Sequence, residues 1–450
     1  MRSRPYRLRE VLIENFRCFR EKRAVRLTPL TLLVGDNSTG KTSFLAALRL
    51  VWDIAYRKME PDFRSDPYDL GPFSEVAYNA SRRRPDTNSF SLGFNTITDA
   101  DTPVKFSVTF KERAGAPVPG SLSWSGERTW VKHIVSDEGY AYTDFGITDR
   151  AWRFTNSSRR YESSSVDFLL PMVLWLGTAS RGREVPFGRI EPLSGSPEFP
   201  TDDDLDAIWF EFELFPATSL IEERPYASAP TRSSPRRTYD RSEMSAEGTR
   251  QTAIYLADQF YDREQWNTLK QKLEEFGRTS GLFDEISIKL LGKSVGDPFQ
   301  LQVRKYSKSH RRGPKRNLID VGYGVSQALD LATELLRPEG PYTFLLQQPE
   351  VHLHPSAQAA LGSLFCEMVA SGRQLIVETH SEYIIDRVRM DLRDGRTDLR
   401  PEDVSILFFE RSDGDIRIHS LRFDDQGNVL GAPDGYGQFF MDEVRRSVGL

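Results

Sequence analysis

The eight residues GDNSTGKT, at positions 35–42, place two glycines, a lysine and a threonine at the spacing G-x-x-x-x-G-K-[ST]. Glycines at these positions let backbone N–H groups turn inward around phosphate oxygens, and a helix that follows presents its positive end to the same anion. Lys41 can then reach the β- and γ-phosphates of a nucleotide, while the hydroxyl of Thr42 can ligate Mg²⁺. The motif predicts that ATP and Mg²⁺ bind here, through Gly35, Asp36, Asn37, Ser38, Thr39, Gly40, Lys41, Thr42 and Ser43.

The segments on either side of this loop follow the order that the motif requires. TLLVG (31–35) is an apolar run that predicts a strand, and SFLAALRLVWDIAY (43–56) has apolar residues at helical spacing. A chance match in a glycine-containing turn would need neither of them. The context therefore favours a nucleotide site.

Hydrophobic periodicity divides the rest of the chain. SFSLGF and VKFSVTF, between 89 and 110, alternate apolar and polar residues and predict antiparallel strands, a helical pattern occupies 249–277, and strands alternate with helices from 317 to 392. Such alternation is typical of an α/β sheet. The stretch from 116 to 225 has no regular period, so we expect an insertion there. The predicted units are an N-terminal lobe with the phosphate loop (1–115), the insertion (116–225), a C-terminal lobe (226–420) and a tail module (421–450).

Composition limits the class of protein. The 450 residues are 38% hydrophobic and 28% charged, and a formal net charge of −5 gives no global attraction to nucleic acid or to an anionic membrane. The two cysteines, Cys18 and Cys366, imply neither a disulfide framework nor a Cys-rich zinc site. The start has no apolar signal segment, and the longest apolar stretch, 168–177, is half as long as a membrane helix. We expect a soluble, cytoplasmic protein that does not enter a membrane.

Three later segments, taken with the phosphate loop, resemble a known family. DVGYGVSQAL (320–329), QQPEVHLHPSAQ (347–358) and ETHSEYIIDR (378–387) are similar to motifs of the ABC-class ATPase heads of the SMC/RecF/OLD-like group, and most similar to a bacterial subgroup associated with phage defence. The resemblance covers about residues 8–58 and 226–420. It implies an α/β fold, an ABC-type P-loop ATPase head with a mixed β-sheet, an antiparallel β subdomain and a middle insertion. Since few residues follow the last motif, we expect no Toprim nuclease of the kind that OLD-like relatives carry.

By this resemblance, GYGVSQ (322–327) corresponds to the ABC signature. Ser326, Gln327 and the backbone amides near Gly324, at a helix expected to start at 326, would face the γ-phosphate of ATP held by a second subunit, because a helix N-terminus attracts anions. His380 corresponds to the switch histidine, a hydrogen-bond partner of the γ-phosphate. The resemblance implies a homodimer or higher oligomer that closes around two ATP·Mg²⁺.

The strand TFLLQ ends where hydrolysing relatives place one acid for the magnesium shell and usually a second acid that polarises the attacking water. Here both residues are glutamines, Gln347 and Gln348. A glutamine carbonyl can bind a magnesium-bound water, but it cannot act as a general base, and loss of such a base typically lowers the rate by about 10²–10⁴-fold. The nearest carboxylate is Glu350, for which two roles stay open: it orients water in a slow hydrolysis, or it only tethers the neighbouring loop. We therefore expect Gln347 in the metal shell and, at the reacting phosphate, Gln348, Glu350 and His380.

Two other segments allow alternative interpretations. His352 and His354 make a poor zinc pair because no third ligand matches them, so HLHP is better interpreted as the D-loop region, where two subunits touch. RKYSKSHRRGPKR (304–316) contains seven Lys and Arg residues and predicts a hairpin tip. Such a loop could follow a DNA backbone, bind an acidic protein, or be solvated.

Together these features predict an ATP-binding, slowly hydrolysing ATPase that acts as a switch or sensor. Its partner would be a separate effector protein, a nuclease or another toxin, in bacterial antiphage defence. Two alternatives remain open: a DNA-repair or plasmid-maintenance ATPase that acts on DNA, and a non-hydrolysing ATP-bound scaffold. DNA-stimulated hydrolysis would identify the first, and retention of unchanged ATP over many hours would identify the second.

Overall fold

The computed structural model of the protein describes most of the chain. The described residues are 8–55, 61–64, 66–78, 88–97, 103–136, 141–155, 189–193, 196, 199–201, 203–208, 225–230, 234–240, 249–294, 296–307, 312–340, 342–412, 415–433 and 435–436. They belong to two compact units. Unit 1 lies within Met1–Leu27, Asp36–Pro225 and Phe409–Ile418, and unit 2 within Thr28–Gly35, Tyr226–Phe408 and His419–Leu450.

Nine of the first ten described strands form one sheet. These ten strands are β1 (Glu10–Glu14), β2 (Arg23–Arg26), β3 (Leu30–Gly35), β4 (Ser89–Ile97), β5 (Pro103–Arg113), β6 (Ala116–Ser125), β7 (Thr129–Val135), β8 (Ala141–Ile147), β9 (Arg150–Thr155) and β10 (Arg189–Pro192). All except β3 form the antiparallel sheet of unit 1, in the order β10-β9-β8-β7-β6-β5-β4-β1-β2.

The core of unit 1 follows from the alternating pattern of β4 and β5. Phe90 lies opposite Phe110 in the register, and their rings stack with centroids 4.9 Å apart. The helices of this unit include α1 (Lys41–Ala55) and α2 (Phe73–Val76), and α1 contacts β4. The predicted strands and the helix after the phosphate loop are thus confirmed.

The stretch predicted as an insertion contributes strands to this same sheet. β6 pairs with β5 across a turn at Ala114 and Gly115, which have φ values of 52° and 81°, and β7 to β9 continue the antiparallel order. The predicted boundary at 115/116 therefore falls in a turn within one sheet. Parts of the stretch, 156–188 and 209–224, lie outside the described residues.

Two further sheets belong to unit 2, apart from residues 409–418, which belong to unit 1. The remaining strands are β11 (Tyr226–Ser228), β12 (Glu285–Leu290), β13 (Phe299–Arg304), β14 (Arg316–Asn317), β15 (Thr343–Gln347), β16 (Gln374–Glu378), β17 (Val404–Ser412), β18 (Asp415–Phe423) and β19 (Val429–Leu430). β12, β13 and β14 form a small sheet, and the larger one has the order β11-β15-β16-β3-β17-β18-β19. Its first four strands are parallel, while β18 and β19 are antiparallel, so the predicted mixed sheet of an α/β fold is confirmed.

Five helices accompany these sheets in the described part of unit 2. They are α3 (Thr249–Tyr261), α4 (Arg263–Ser280), α5 (Tyr323–Leu336), α6 (Pro355–Ala370) and α7 (Glu382–Arg393). The helical pattern predicted for 249–277 is two helices, because the carboxylate of Asp262 accepts hydrogen bonds from the amides of Glu264 and Gln265 and starts α4 anew. None of the described helices is long and apolar enough to cross a membrane.

Most of the segment 317–322, with which the predicted alternation of strands and helices begins, is not a strand. β14 ends at Asn317, and a 3-10 turn, Leu318–Asp320, follows it. The Asn317 side chain explains the change, since its oxygen accepts from the Ile319 amide and its NH₂ donates to the Arg237 carbonyl. A side chain that caps a turn competes with the strand ladder.

Candidate nucleotide-binding site

The phosphate loop lies between the end of β3 and the start of α1. Asp36, Asn37 and Ser38 are exposed, Thr39 and Lys41 are buried, and Thr42 and Ser43 lie partly exposed in the first turn of α1. Ser38 and Gly40 have left-handed φ values of 62° and 91°. Left-handed residues within a loop turn amide groups to one side of it, as anion binding requires.

Two side chains of the loop bind its own backbone. The Lys41 Nζ donates to the Asp36 carbonyl at 2.7 Å, and the Thr39 hydroxyl donates to the same oxygen at 2.7 Å. These bonds hold the loop closed from within, with the ammonium group already directed back along it. The motif residues 36–43 thus form the compact loop that the sequence predicted, while their roles toward ATP stay predictions.

Gly40 is the position at which only glycine fits. A Cβ built there would lie 2.5 Å from the Sγ of Cys18 and 3.2 Å from the ring of Phe19. Burial raises the pKa of the Cys18 thiol, and the Ser43 side chain bonds it. The loop therefore packs directly on the segment after β1, a contact that no motif indicated.

The end of β17 supports the loop from another direction. The Arg411 guanidinium donates to the carbonyl of Ser38 at 3.0 Å, and the Phe409 ring packs edge-on against Phe44 at 5.6 Å between centroids. Asp415 anchors the same segment, because its carboxylate accepts from the Arg23 guanidinium at 2.6 Å. Arg411 was missed in the sequence, where it lies far from the loop and in no motif.

In unit 2, three parallel strands end together at one edge. Glu378, at the end of β16, is the register partner of Gln347 on β15 and of Leu33 on β3. The Gln348 amide donates to the Glu378 carbonyl at 2.8 Å, and the Thr379 amide donates to the Leu33 carbonyl at 3.1 Å. Main-chain bonds thus fix the strand ends, and Gln348 turns the chain away with φ 42°.

Glu350 connects the loops that follow β15 and β16. It is 8% exposed, and its Oε1 accepts from the amide of His380 at 2.7 Å. Its other oxygen, Oε2, is buried without a hydrogen-bond partner in the described part of the chain. Burial raises the pKa of the Glu350 carboxyl, against the effect of the His380 amide, and the charge of Glu378 raises it further. The tethering role is therefore observed, and the water-orienting role stays a prediction.

The signature segment begins its helix earlier than predicted. α5 starts at Tyr323 rather than at 326, so Ser326 lies in the first turn, fully buried. Its hydroxyl donates to the Tyr323 carbonyl at 2.8 Å, and Gln327 is buried as well. The amides at the helix start therefore belong to residues before Ser326.

The HLHP segment packs against the signature. A Cβ at Gly324 would collide with the His352 carbonyl oxygen, and the rings of Tyr323 and His352 meet edge to face with centroids 5.0 Å apart. His354 instead starts α6, where its Nδ1 accepts from the Ser356 amide. Within the described ranges no group of three or more His, Cys, Asp or Glu could hold a metal ion, and nothing in this pair favours zinc.

Part of the basic segment is neutralised within unit 2. Arg304 and Arg312 lie 2.8 Å and 3.7 Å from the Glu285 carboxylate, and the Lys305 ammonium donates to the Gly281 carbonyl. Residues 308–311 lie outside the described residues. The single carboxylate of Glu285 therefore offsets one positive charge of this segment.

Comparison with known proteins identifies two regions. Residues 194–386 match the family model described as "AAA domain, putative AbiEii toxin, Type IV TA system", and residues 7–101 match the model "AAA ATPase domain". Both regions are thus similar to AAA-type ATPase domains. The first region includes the signature, the two glutamines and His380, and the second includes the phosphate loop. A search of the curated proteins finds no match.

Solved structures of SMC heads show a distant similarity. The Smc head domain with an extended coiled coil from Pyrococcus furiosus, bound to the C-terminal domain of ScpA, is 10% identical over 98% of this chain and 100% of that chain, with a TM-score of 0.43. An SmcHead bound to the C-winged helix domain of ScpA is 12% identical over 93% and 98%, with a TM-score of 0.40. The SMC head domain from Thermotoga maritima is 12% identical over 92% and 98%, with a TM-score of 0.41.

The residues present fit a nucleotide with its magnesium ion. In unit 1, the loop has left-handed residues at Ser38 and Gly40, and Lys41 is held within it. In unit 2, the buried Glu350 carboxyl keeps one oxygen unbonded. A cradle of backbone and a buried acid with spare acceptor capacity are features that suit a phosphate group and a hydrated cation.

Proposed function

We propose that this protein is an ATP-binding, slowly hydrolysing ABC-type ATPase that dimerises around ATP and acts as a switch for a separate effector in bacterial antiphage defence. The observation that carries the proposal is the phosphate loop, with left-handed residues at Ser38 and Gly40 and with Lys41 folded back onto the Asp36 carbonyl. The AAA ATPase domain match over residues 7–101 supports it.

ATP binding uses the loop in a simple exchange. The Lys41 ammonium leaves the Asp36 carbonyl and moves to the β- and γ-phosphates, and the amides of the loop donate to the phosphate oxygens. Because the start of α1 carries partial positive charge, the anion is stabilised further. The Thr42 hydroxyl and the Gln347 carbonyl would hold Mg²⁺, which would supply positive charge against the phosphates.

Hydrolysis is slow in this proposal because neither Gln347 nor Gln348 can accept a proton. Glu350 is the remaining acid near the strand ends, and its buried Oε2 is the acceptor for a water molecule. Burial raises the pKa of this carboxyl, which makes the ionised form a stronger base but lowers the ionised fraction at a given pH. A slow site keeps its nucleotide for long, which suits a switch better than a motor.

The dimer would present the start of α5 to ATP bound by the partner chain. Because the Ser326 hydroxyl is used inside the helix, the backbone amides near Gly324 are the anion donors in this arrangement. His380 would donate or accept a hydrogen bond at a γ-phosphate, positioned by the bond between its amide and Glu350.

A defence role is supported by the family match over 194–386. The model's description includes the words "putative AbiEii toxin, Type IV TA system", and a TA system has two separate components. We do not extend the proposal to DNA, since Arg304 and Arg312 are paired with Glu285.

The decisive experiment measures ATP affinity and oligomeric state together. Lys41→Ala should weaken Mg·ATP binding by at least tenfold in calorimetry, because a charge-assisted phosphate contact contributes about 1.5–3 kcal/mol. The matched control is Lys289→Ala, which removes an exposed lysine on β12. Wild type should become dimeric with ATP at micromolar concentration in light scattering. Unchanged affinity in Lys41→Ala, or an ATP-bound monomer, would refute the proposal, and ATP recovered intact after many hours would identify a scaffold instead.

A further inference from the structure

The magnesium shell lacks its expected acid on β15. Gln347 is neutral, and Mg²⁺ is usually held by one or two carboxylates together with phosphate oxygens and water. A neutral carbonyl at this position gives no Coulomb attraction to a divalent cation. An acid on a neighbouring element could replace it, provided that it lies at the same edge of the sheet.

Glu378 has this position. It ends β16, the strand between β15 and β3, and it is the register partner of Gln347. Neighbouring strands lie about 4.8 Å apart, and register partners in parallel strands extend their side chains from the same face of the sheet. Moving a carboxylate from 347 to 378 therefore shifts its charge sideways by one strand, at the same height along the sheet.

The other neighbour of Glu378 is the strand that leads into the phosphate loop. Leu33 on β3 is its partner there, and Gly35, two residues later, starts the motif. The amides of Gln348 and Thr379 bond across these strand ends at 2.8 Å and 3.1 Å. Glu378 is thus fixed between the strand with the missing acid and the strand of the phosphate loop.

A second acid faces the same neighbourhood. Glu350 is buried, and its Oε2 has no partner in the part of the chain that the structure describes. Its Oε1 accepts from the amide of His380, two residues after Glu378, so this carboxylate lies at the end of β16 as well. Two buried acids at one strand edge, one with an unbonded oxygen, are stabilised when a cation is present.

We infer that Glu378 supplies the carboxylate that the magnesium shell lacks at Gln347. The inference rests on the proposed function, since it assigns a ligand within the same nucleotide site. Glu378 is then a metal ligand on the neighbouring strand, and Gln347 holds a magnesium-bound water through its carbonyl. The cation binds at the edge where β3, β15 and β16 end.

The test compares ATP affinity with Mg²⁺ and with EDTA, by calorimetry. Wild type should gain affinity with Mg²⁺, and Glu378→Gln should lose that gain by about tenfold or more, since even supporting residues of metal sites alter affinity by 10–100-fold. With EDTA, the affinity of Glu378→Gln should equal or exceed that of wild type, because one negative charge near the triphosphate is gone. Glu367→Gln, an exposed glutamate on α6, is the control and should behave as wild type.

The double variant Gln347→Glu with Glu378→Gln returns the charge to β15 and should restore the Mg²⁺ dependence. Where Glu378→Gln fails to fold, Fe²⁺ in place of Mg²⁺ with peroxide should cleave the wild-type ATP complex next to 378. A full Mg²⁺-dependent gain in Glu378→Gln, or Fe²⁺ cleavage elsewhere but not at 378, would overturn the inference. Wild type without ATP affinity would refute the proposed function itself, a separate result.

Discussion

Gly40→Ala tests whether the geometry of the phosphate loop binds nucleotide. At φ 91° an alanine is strained by about 1–2 kcal/mol. Its Cβ would also lie 2.5 Å from the Cys18 Sγ, and overpacking of this kind costs about 1–3 kcal/mol. The loop of the variant can move to relieve both effects, and ATP must then return it to the original conformation in order to bind. The free energy of ATP binding should therefore be weaker by about 2–5 kcal/mol, which raises the Kd roughly 30-fold to several thousandfold.

The partner substitution Cys18→Ala separates the two causes. It removes the thiol that meets the new Cβ but leaves the backbone conformation of residue 40 unchanged. In calorimetry with Mg·ATP, the double variant should therefore regain the part of the binding free energy that overpacking removed. Its binding free energy should stay about 1–2 kcal/mol weaker than that of wild type, because the backbone strain remains. Urea unfolding of the same proteins measures any loss of global stability. If Gly40→Ala binds ATP within twofold of wild type, the cradle does not depend on this conformation and the reasoning is wrong.

Two further outcomes follow from buried groups. If Oε2 orients water, Glu350→Gln should lower the rate of phosphate release by about 10²-fold or more. If Glu350 only accepts the bond from the His380 amide, the rate should stay unchanged, because a glutamine oxygen still accepts that bond. His133 is buried on β7, bonded to the Thr143 hydroxyl at 2.8 Å, and burial lowers its pKa to about 4. In the unfolded chain the His133 imidazole binds a proton below about pH 6.5, whereas in the folded chain it does so only near pH 4. The free energy of unfolding should therefore fall by about 2 kcal/mol between pH 7 and pH 5. Urea unfolding at several pH values measures this decrease, which should be smaller in His133→Gln than in wild type and unchanged in His419→Gln. An equal decrease in wild type and both variants would contradict the prediction.

The phosphate loop could be predicted because everything it needs is local. An apolar strand, two glycines and an amphipathic helix follow each other within the range 30–55, and the structure has β3 and α1 there. β4 and β5 were equally accessible, since Phe90 and Phe110 belong to clean alternating patterns.

The strands β6 to β9 were not predicted because the alternation is interrupted. β6 contains Pro117, Pro119 and Gly120, residues that are unfavourable in a regular strand, and the register shifts at Thr109 and Phe110 where it meets β5. The pairing partner, not the propensity of the segment, decides its structure. β17 and β18 were not predicted, although their sequences are rich in apolar residues, because they contain none of the motifs.

Within the candidate site, the sequence identified residues but not their partners. That Glu350 accepts from the His380 amide, and that Arg411 bonds the Ser38 carbonyl, depends on strand order and register. Neither quantity can be obtained from spacing along the chain. Local motifs therefore predict which loops carry chemistry, and the sheet decides which of their side chains meet.

The strand edge of unit 2 shows why two glutamines are compatible with an intact site. Its shape depends on main-chain bonds, from the Gln348 amide to the Glu378 carbonyl and from the Thr379 amide to the Leu33 carbonyl, and on the Glu350 side chain. None of these uses a carboxylate at 347 or 348. Charge at those two positions can therefore change without altering the loops, so that binding and turnover are separable properties of this edge. The acids that remain, Glu350 and Glu378, are both buried, and buried acids tolerate substitution poorly unless their partners change as well.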